Sequence, residues 1–244
     1  MPPAHDAARA PAPRVDPDGI LLLYAHGSRQ EYLRDRCFPN SVTTPRWLRR
    51  FAGAEIAGLP VSVYATCTPS RTGEFDHRER SGEPKVVKRT RDLEAEVRRF
   101  IAQGFAPGRI ILLGHSAGGW AALLAAHDGE PPIAGVIAFA PAFAGPLRTR
   151  SAGWQWLRDV QAGWLADSER LPALVYAYRG DAFEAPRALA FLEPIPGLLM
   201  ITLDPADCGD VEAHRAAFNA CVMDAREQAR IAGFIEQRVQ ANAR

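Results

Sequence analysis

The stretch Arg109-Ile110-Ile111-Leu112-Leu113-Gly114-His115-Ser116-Ala117-Gly118-Gly119 decides how the rest of the chain is read. It runs from a short apolar segment through a serine flanked by glycines into Gly118–His127, a nearly all-apolar helix that must be buried on most sides. A serine on a sharp strand-to-helix turn takes strained backbone angles, so the residues two before and two after it must lack side chains. Such a turn exposes the hydroxyl and points the free N–H groups of the helix start at any anion forming there.

Outward from this elbow, short apolar runs alternate with helix-like segments. The runs Gly19–Ala25, Leu59–Ala65, Arg109–Leu113, Ile133–Phe139, Leu174–Tyr178 and Gly197–Leu203 have the length and composition of buried strands. Helices are expected near Pro45–Glu55, over Thr90–Gln103, Gly118–His127, Trp154–Leu165 and Ala185–Phe191, and in the tail, where Ile231, Phe234, Ile235 and Val239 share a face. Continuous apolar strands separated by helices imply an α/β fold: a mostly parallel six-stranded sheet with helices on both faces. Residues 1–18, rich in Pro and Ala, read as a flexible arm, and 19–244 as one domain.

A serine hydroxyl is a weak nucleophile until a base takes its proton, and that base needs an orienting carboxylate. On a parallel sheet, functional groups gather at the carboxyl ends of the strands. The segment after Leu174–Tyr178 offers Asp181 first and Glu184 second, and both stay open as the acid. After Gly197–Leu203 comes the only late loop with a histidine, His214. A tetrahedral oxyanion needs two N–H donors. Ala117, directly after the serine, supplies one, and Ser28 in His26-Gly27-Ser28 is the candidate for the other.

With these residues the chain resembles the α/β-hydrolase superfamily, from Gly19 onward. The resemblance rests on the His26-Gly27 turn, the Gly114–Gly118 elbow and the order Ser116, Asp181, His214. It is similar to the small members with minimal or no cap, related to dienelactone hydrolases and carboxylesterases. It departs from them in that Asp181 follows Gly180 immediately, and in carrying serine where dienelactone hydrolases favour cysteine. The resemblance implies a serine esterase working through an acyl-enzyme on a small-molecule ester, with no cofactor or metal. An acyltransferase or thioesterase would use the same triad; a catalytically silent binding or sensing protein is the rival from another class.

Composition narrows the partners. Over 244 residues, 47% are hydrophobic and the net charge is +1, so neither nucleic acid nor an anionic membrane is favoured, and no apolar run reaches membrane-spanning length. Cys37, Cys67, Cys208 and Cys221 form no C-x-x-C pair and read as either free thiols or disulfides. In the hydrolase fold the first two strands are neighbours, which implies a Cys37–Cys67 bridge, while Cys208–Cys221 would bracket His214. Bridges imply a periplasmic or secreted protein; a native N-terminus without a leader implies a cytoplasmic one. The charged stretch Thr68–Arg91 reads as solvated loop, His115 as packing against the sheet, His127 as a helix-end residue, and Trp154, Trp156 and Trp164 as core.

Overall fold

The computed structural model describes residues 15–27, 45–66, 84–209, 212–218 and 220–243. Among these, seven strands form one sheet in the order β2-β3-β1-β4-β5-β6-β7. They are β1 (Ile20–Ala25), β2 (Glu55–Ile56), β3 (Leu59–Ala65), β4 (Ile110–His115), β5 (Gly135–Phe139), β6 (Ala173–Tyr178) and β7 (Leu198–Leu203). Every neighbouring pair is parallel except β2–β3.

The apolar runs form central strands because alternate residues feed two separate cores. Leu21, Leu23, Leu112, Val136 and Val175 pack under α1 (Lys85–Ala102), α2 (Ala117–Asp128) and α3 (Ala152–Ala166). Leu22, Tyr24, Leu113, Phe139 and Tyr176 pack on the other face against Trp47, Leu48 and the inward residues of α6 (Ala225–Ala241), which are Ile231, Ile235 and Val239. Two short helices, α4 (Pro186–Leu189) and α5 (Ala220–Met223), lie in the connections beyond β6 and β7. No helix among the described residues is long and apolar enough to cross a membrane.

The structure departs from the sequence expectation in three places. Residues expected as a helix at Pro45–Glu55 form a short 3-10 turn, Arg46–Arg50, followed by β2. Ala57 and Gly58, at φ 53° and 74°, then make a two-residue hairpin turn into β3. That hairpin raises the sheet from six strands to seven. Helix α1 starts at Lys85 instead of Thr90, with Lys85 and Arg89 buried, so the end of the supposed charged loop is packed helix; residues 67–83 lie outside the described residues. On α3 the inward residues are Arg158, Gln161, Ala162 and Leu165, which leaves Trp156 and Trp164 exposed at 64% and 52%. Of the three tryptophans read as core, only Trp154 packs against it.

At the entry to β1, the Asp16 N–H donates to Ser62 Oγ and Arg109 Nη1 donates to the Asp18 carbonyl. Residues 15–18 are therefore tied to the sheet.

Candidate active site

Ser116 stands between β4 and α2 with φ 55° and ψ −125°, a conformation that costs an L-residue about 1–3 kcal/mol. The glycines around it have no space for a side chain. A Cβ on Gly114 would lie 2.3 Å from the Gly118 carbonyl oxygen, and one on Gly118 would lie 2.2 Å from that of Ala25. The elbow is further pinned by Ser116 N–H donating to the Phe139 carbonyl and by its own carbonyl accepting from Ala142 N–H. Ala117 is the first residue of α2, where a backbone N–H has no partner inside the helix.

Three side chains from the segments that follow β4, β6 and β7 meet there. Ser116 Oγ is 2.9 Å from His214 Nε2, and His214 Nδ1 is 2.8 Å and 3.1 Å from the two oxygens of Asp181. A carboxylate only accepts, so Nδ1 carries the proton and Nε2 is left to accept from the serine hydroxyl. The Asp181 side chain is wholly buried and also accepts from the Phe183 N–H. The Phe183 ring lies over the His214 imidazole, stacked at 4.0 Å.

Glu184, the other acid in the same turn, is held by arginines and not by His214. It pairs with Arg150 and Arg158, each at 2.9 Å, all three nearly or fully buried. Arg150 also donates to the carbonyls of Gly145 and Phe183, and Arg158 to that of Ala188, so the cluster ties α3 to the turn carrying Asp181.

His214 sits on a 3-10 segment, Ala213–Phe218, outside the sheet. Three anchors hold this segment. A disulfide joins Cys208 to Cys221 on either side of it. Trp47 Nε1 donates to the Ala217 carbonyl at 2.7 Å, and His115 Nε2 donates to the carbonyl of His214 itself, also at 2.7 Å. His115 thus reaches the histidine segment instead of only packing on the sheet, while His127 binds Ser168 Oγ at 2.7 Å.

Ser28, Cys37 and Cys67 lie outside the described residues. Gly27, directly before Ser28, lies against Ser116: a Cβ on Gly27 would lie 3.0 Å from Ser116 Cβ and 2.8 Å from His115 Nδ1. Among the described residues no group of His, Cys, Asp and Glu converges as a metal site. The contacts of His115 and Trp47 with the histidine segment leave no signal in the sequence, because their partners lie 99 and 170 positions away. Phe183 carried a local signal, its place two residues after Asp181.

Residues 20–237 match the model of the alpha/beta hydrolase family. No curated protein matches the sequence. Among solved structures, SOBER1 from Arabidopsis thaliana is 13% identical with a TM-score of 0.53, covering 90% of this chain and 99% of its own. A structure of the metagenome-derived lipolytic enzymes LipS and LipT is 17% identical with a TM-score of 0.55, over 89% of this chain and 94% of that one. A prolyl endopeptidase is 16% identical with a TM-score of 0.58, over 93% of this chain and 35% of that one. At such identities the likeness is one of fold, and the fold spans lipolytic and peptide-cleaving enzymes alike.

Proposed function

The chain belongs to the alpha/beta hydrolase family, and on that premise we propose that it is a serine hydrolase of carboxylic or thio esters. The observation that carries the reading is the unbroken hydrogen-bond chain Ser116 Oγ, His214, Asp181. Ser116 attacks the ester carbonyl carbon as His214 Nε2 takes the hydroxyl proton. Asp181 holds the proton on Nδ1 and offsets the charge of the imidazolium. The N–H of Ala117 and that of Ser28 receive the oxyanion. Collapse of the tetrahedral intermediate expels the alcohol or thiol, which takes the proton from His214. Water then attacks the acyl-enzyme with His214 again as base, regenerating Ser116 and releasing the acid.

The ester class is favoured over amides by chemistry. An alkoxide or thiolate leaves far more readily than an amide nitrogen, so esters ask for less from the protein than peptides do. Residues 19–244 make up the one hydrolase domain in this reading. The Cys208–Cys221 bridge fits an oxidising compartment, periplasmic or extracellular.

The test is labelling with a serine-directed fluorophosphonate, with Ser116→Ala as control, followed by a panel of p-nitrophenyl esters of rising chain length. Labelling of the wild type alone, with turnover of at least one ester, is the expected result. A folded wild-type protein that is neither labelled nor active would overturn the reading in favour of a silent binding protein.

A further inference from the structure

We propose that His115 is a positioning residue that fixes the backbone of the catalytic base relative to the nucleophile. This rests on reading Ser116 and His214 as nucleophile and base. The base is carried by a 3-10 segment without a sheet partner, whereas the nucleophile stands at the end of a central strand. Their reacting atoms must nonetheless stay about 3 Å apart, because a misplacement of about 1 Å can cost roughly 100-fold in rate.

His115 is the last residue of β4, directly before Ser116, in register with Phe139 of β5. Its Nε2 lies 2.7 Å from the carbonyl oxygen of His214. A carbonyl can only accept, so His115 carries its proton on Nε2. The ring meets the imidazole of His214 at 5.1 Å and the ring of Phe218 edge-on at 4.8 Å. Its other nitrogen faces Gly27, where a Cβ would come within 2.8 Å.

One buried side chain therefore touches the start of the oxyanion-side loop, adjoins the nucleophile and bonds the main chain of the base. Movement of the β4 end carries Ser116 and His214 together. The disulfide joins residues on either side of the same segment and Trp47 bonds it at Ala217; of these three anchors, His115 is the one that bonds the main chain of His214 itself.

The test compares His115→Gln with His115→Met, side chains of matched length that differ in having an N–H donor. The readouts are hydrolysis of p-nitrophenyl butyrate and the rate of fluorophosphonate labelling at Ser116. Met should lower kcat and the labelling rate about 10- to 100-fold, with KM within about threefold, while Gln restores most of both. Equal losses in the two variants, or none in Met, would overturn the proposal. If Met does not fold, His115→Phe replaces it as the donor-free variant, under the same criteria. Failure of the hydrolase reading itself is distinguishable, since it shows in the wild type before any variant is made.

Discussion

The carboxylates of Asp181 and Glu184, three positions apart in one turn, hold opposite partners: Asp181 the imidazole of His214, Glu184 the guanidinium groups of Arg150 and Arg158. In the proposed mechanism, two acids that look interchangeable in sequence are thereby divided between chemistry and scaffold. Asp181→Asn should leave a folded protein whose kcat falls by roughly 10^4-fold, since the amide no longer holds the imidazole in the right tautomer. Glu184→Gln should act mainly on stability, by about 3–5 kcal/mol, because it strips two buried arginines of their counter-charge. Ester kinetics and denaturant melts on both variants check this; a turnover loss greater in Glu184→Gln would reverse the assignment.

Space around the glycines gives a second contrast. Gly118→Ala forces a methyl group to within 2.2 Å of the Ala25 carbonyl oxygen and 2.7 Å of that of His26, which are backbone atoms that cannot turn aside. It should destabilise severely or prevent folding. Gly163 and Gly233 lie inside α3 and α6 with nothing within 4 Å. Their replacement by Ala should raise stability by about 0.5–1 kcal/mol each. Thermal melts of the variants would decide both.

The Cys208–Cys221 bridge closes a loop with a sequence separation of 13, for which chain entropy suggests a contribution of about 3 kcal/mol. In unreduced, denatured protein a thiol reagent should find at most two of the four cysteines, with neither Cys208 nor Cys221 modified. Cys208→Ser with Cys221→Ser should melt earlier and turn over more slowly, since the bridge flanks the segment bearing His214. Full reactivity of Cys208 and Cys221 before reduction would contradict this.

Phe183 covers one face of the His214 imidazole at 4.0 Å. Removing the ring with Phe183→Ala gives the imidazole room to tilt and lets water reach it. An aromatic pair of this kind contributes about 0.5–1.5 kcal/mol beyond its area, so kcat should fall several-fold to tenfold while Phe183→Tyr stays close to wild type. Kinetics at saturating ester would show the difference.

The central strands and the elbow were legible because their signals are local: apolar runs bounded by turns, and glycines at fixed offsets from Ser116. Strand β2 escaped notice because Glu55-Ile56 is too short for a period, and its turn is Ala57-Gly58 instead of an Asn-Gly or Asp-Gly pair. The start of α1 was hidden by chemistry, since buried Lys85 and Arg89 look like solvated charge to any hydropathy reading. Of the candidate site, strand order points to Ser116, to His214 and to the turn that carries both Asp181 and Glu184. The partition between Asp181 and Glu184 does not follow from strand order, because it depends on Arg150 and Arg158 arriving from the β5–α3 side. Local composition carries no trace of such meetings.

The backbone strain at Ser116 sets fold stability against the placement of one oxygen atom. At φ 55° this position would be more comfortable as glycine, and Ser116→Gly should melt higher than the wild type. A Ser116→Gly variant that melts higher and is no longer labelled by the fluorophosphonate would show the fold giving up stability at one position to hold a hydroxyl at the strand-to-helix turn.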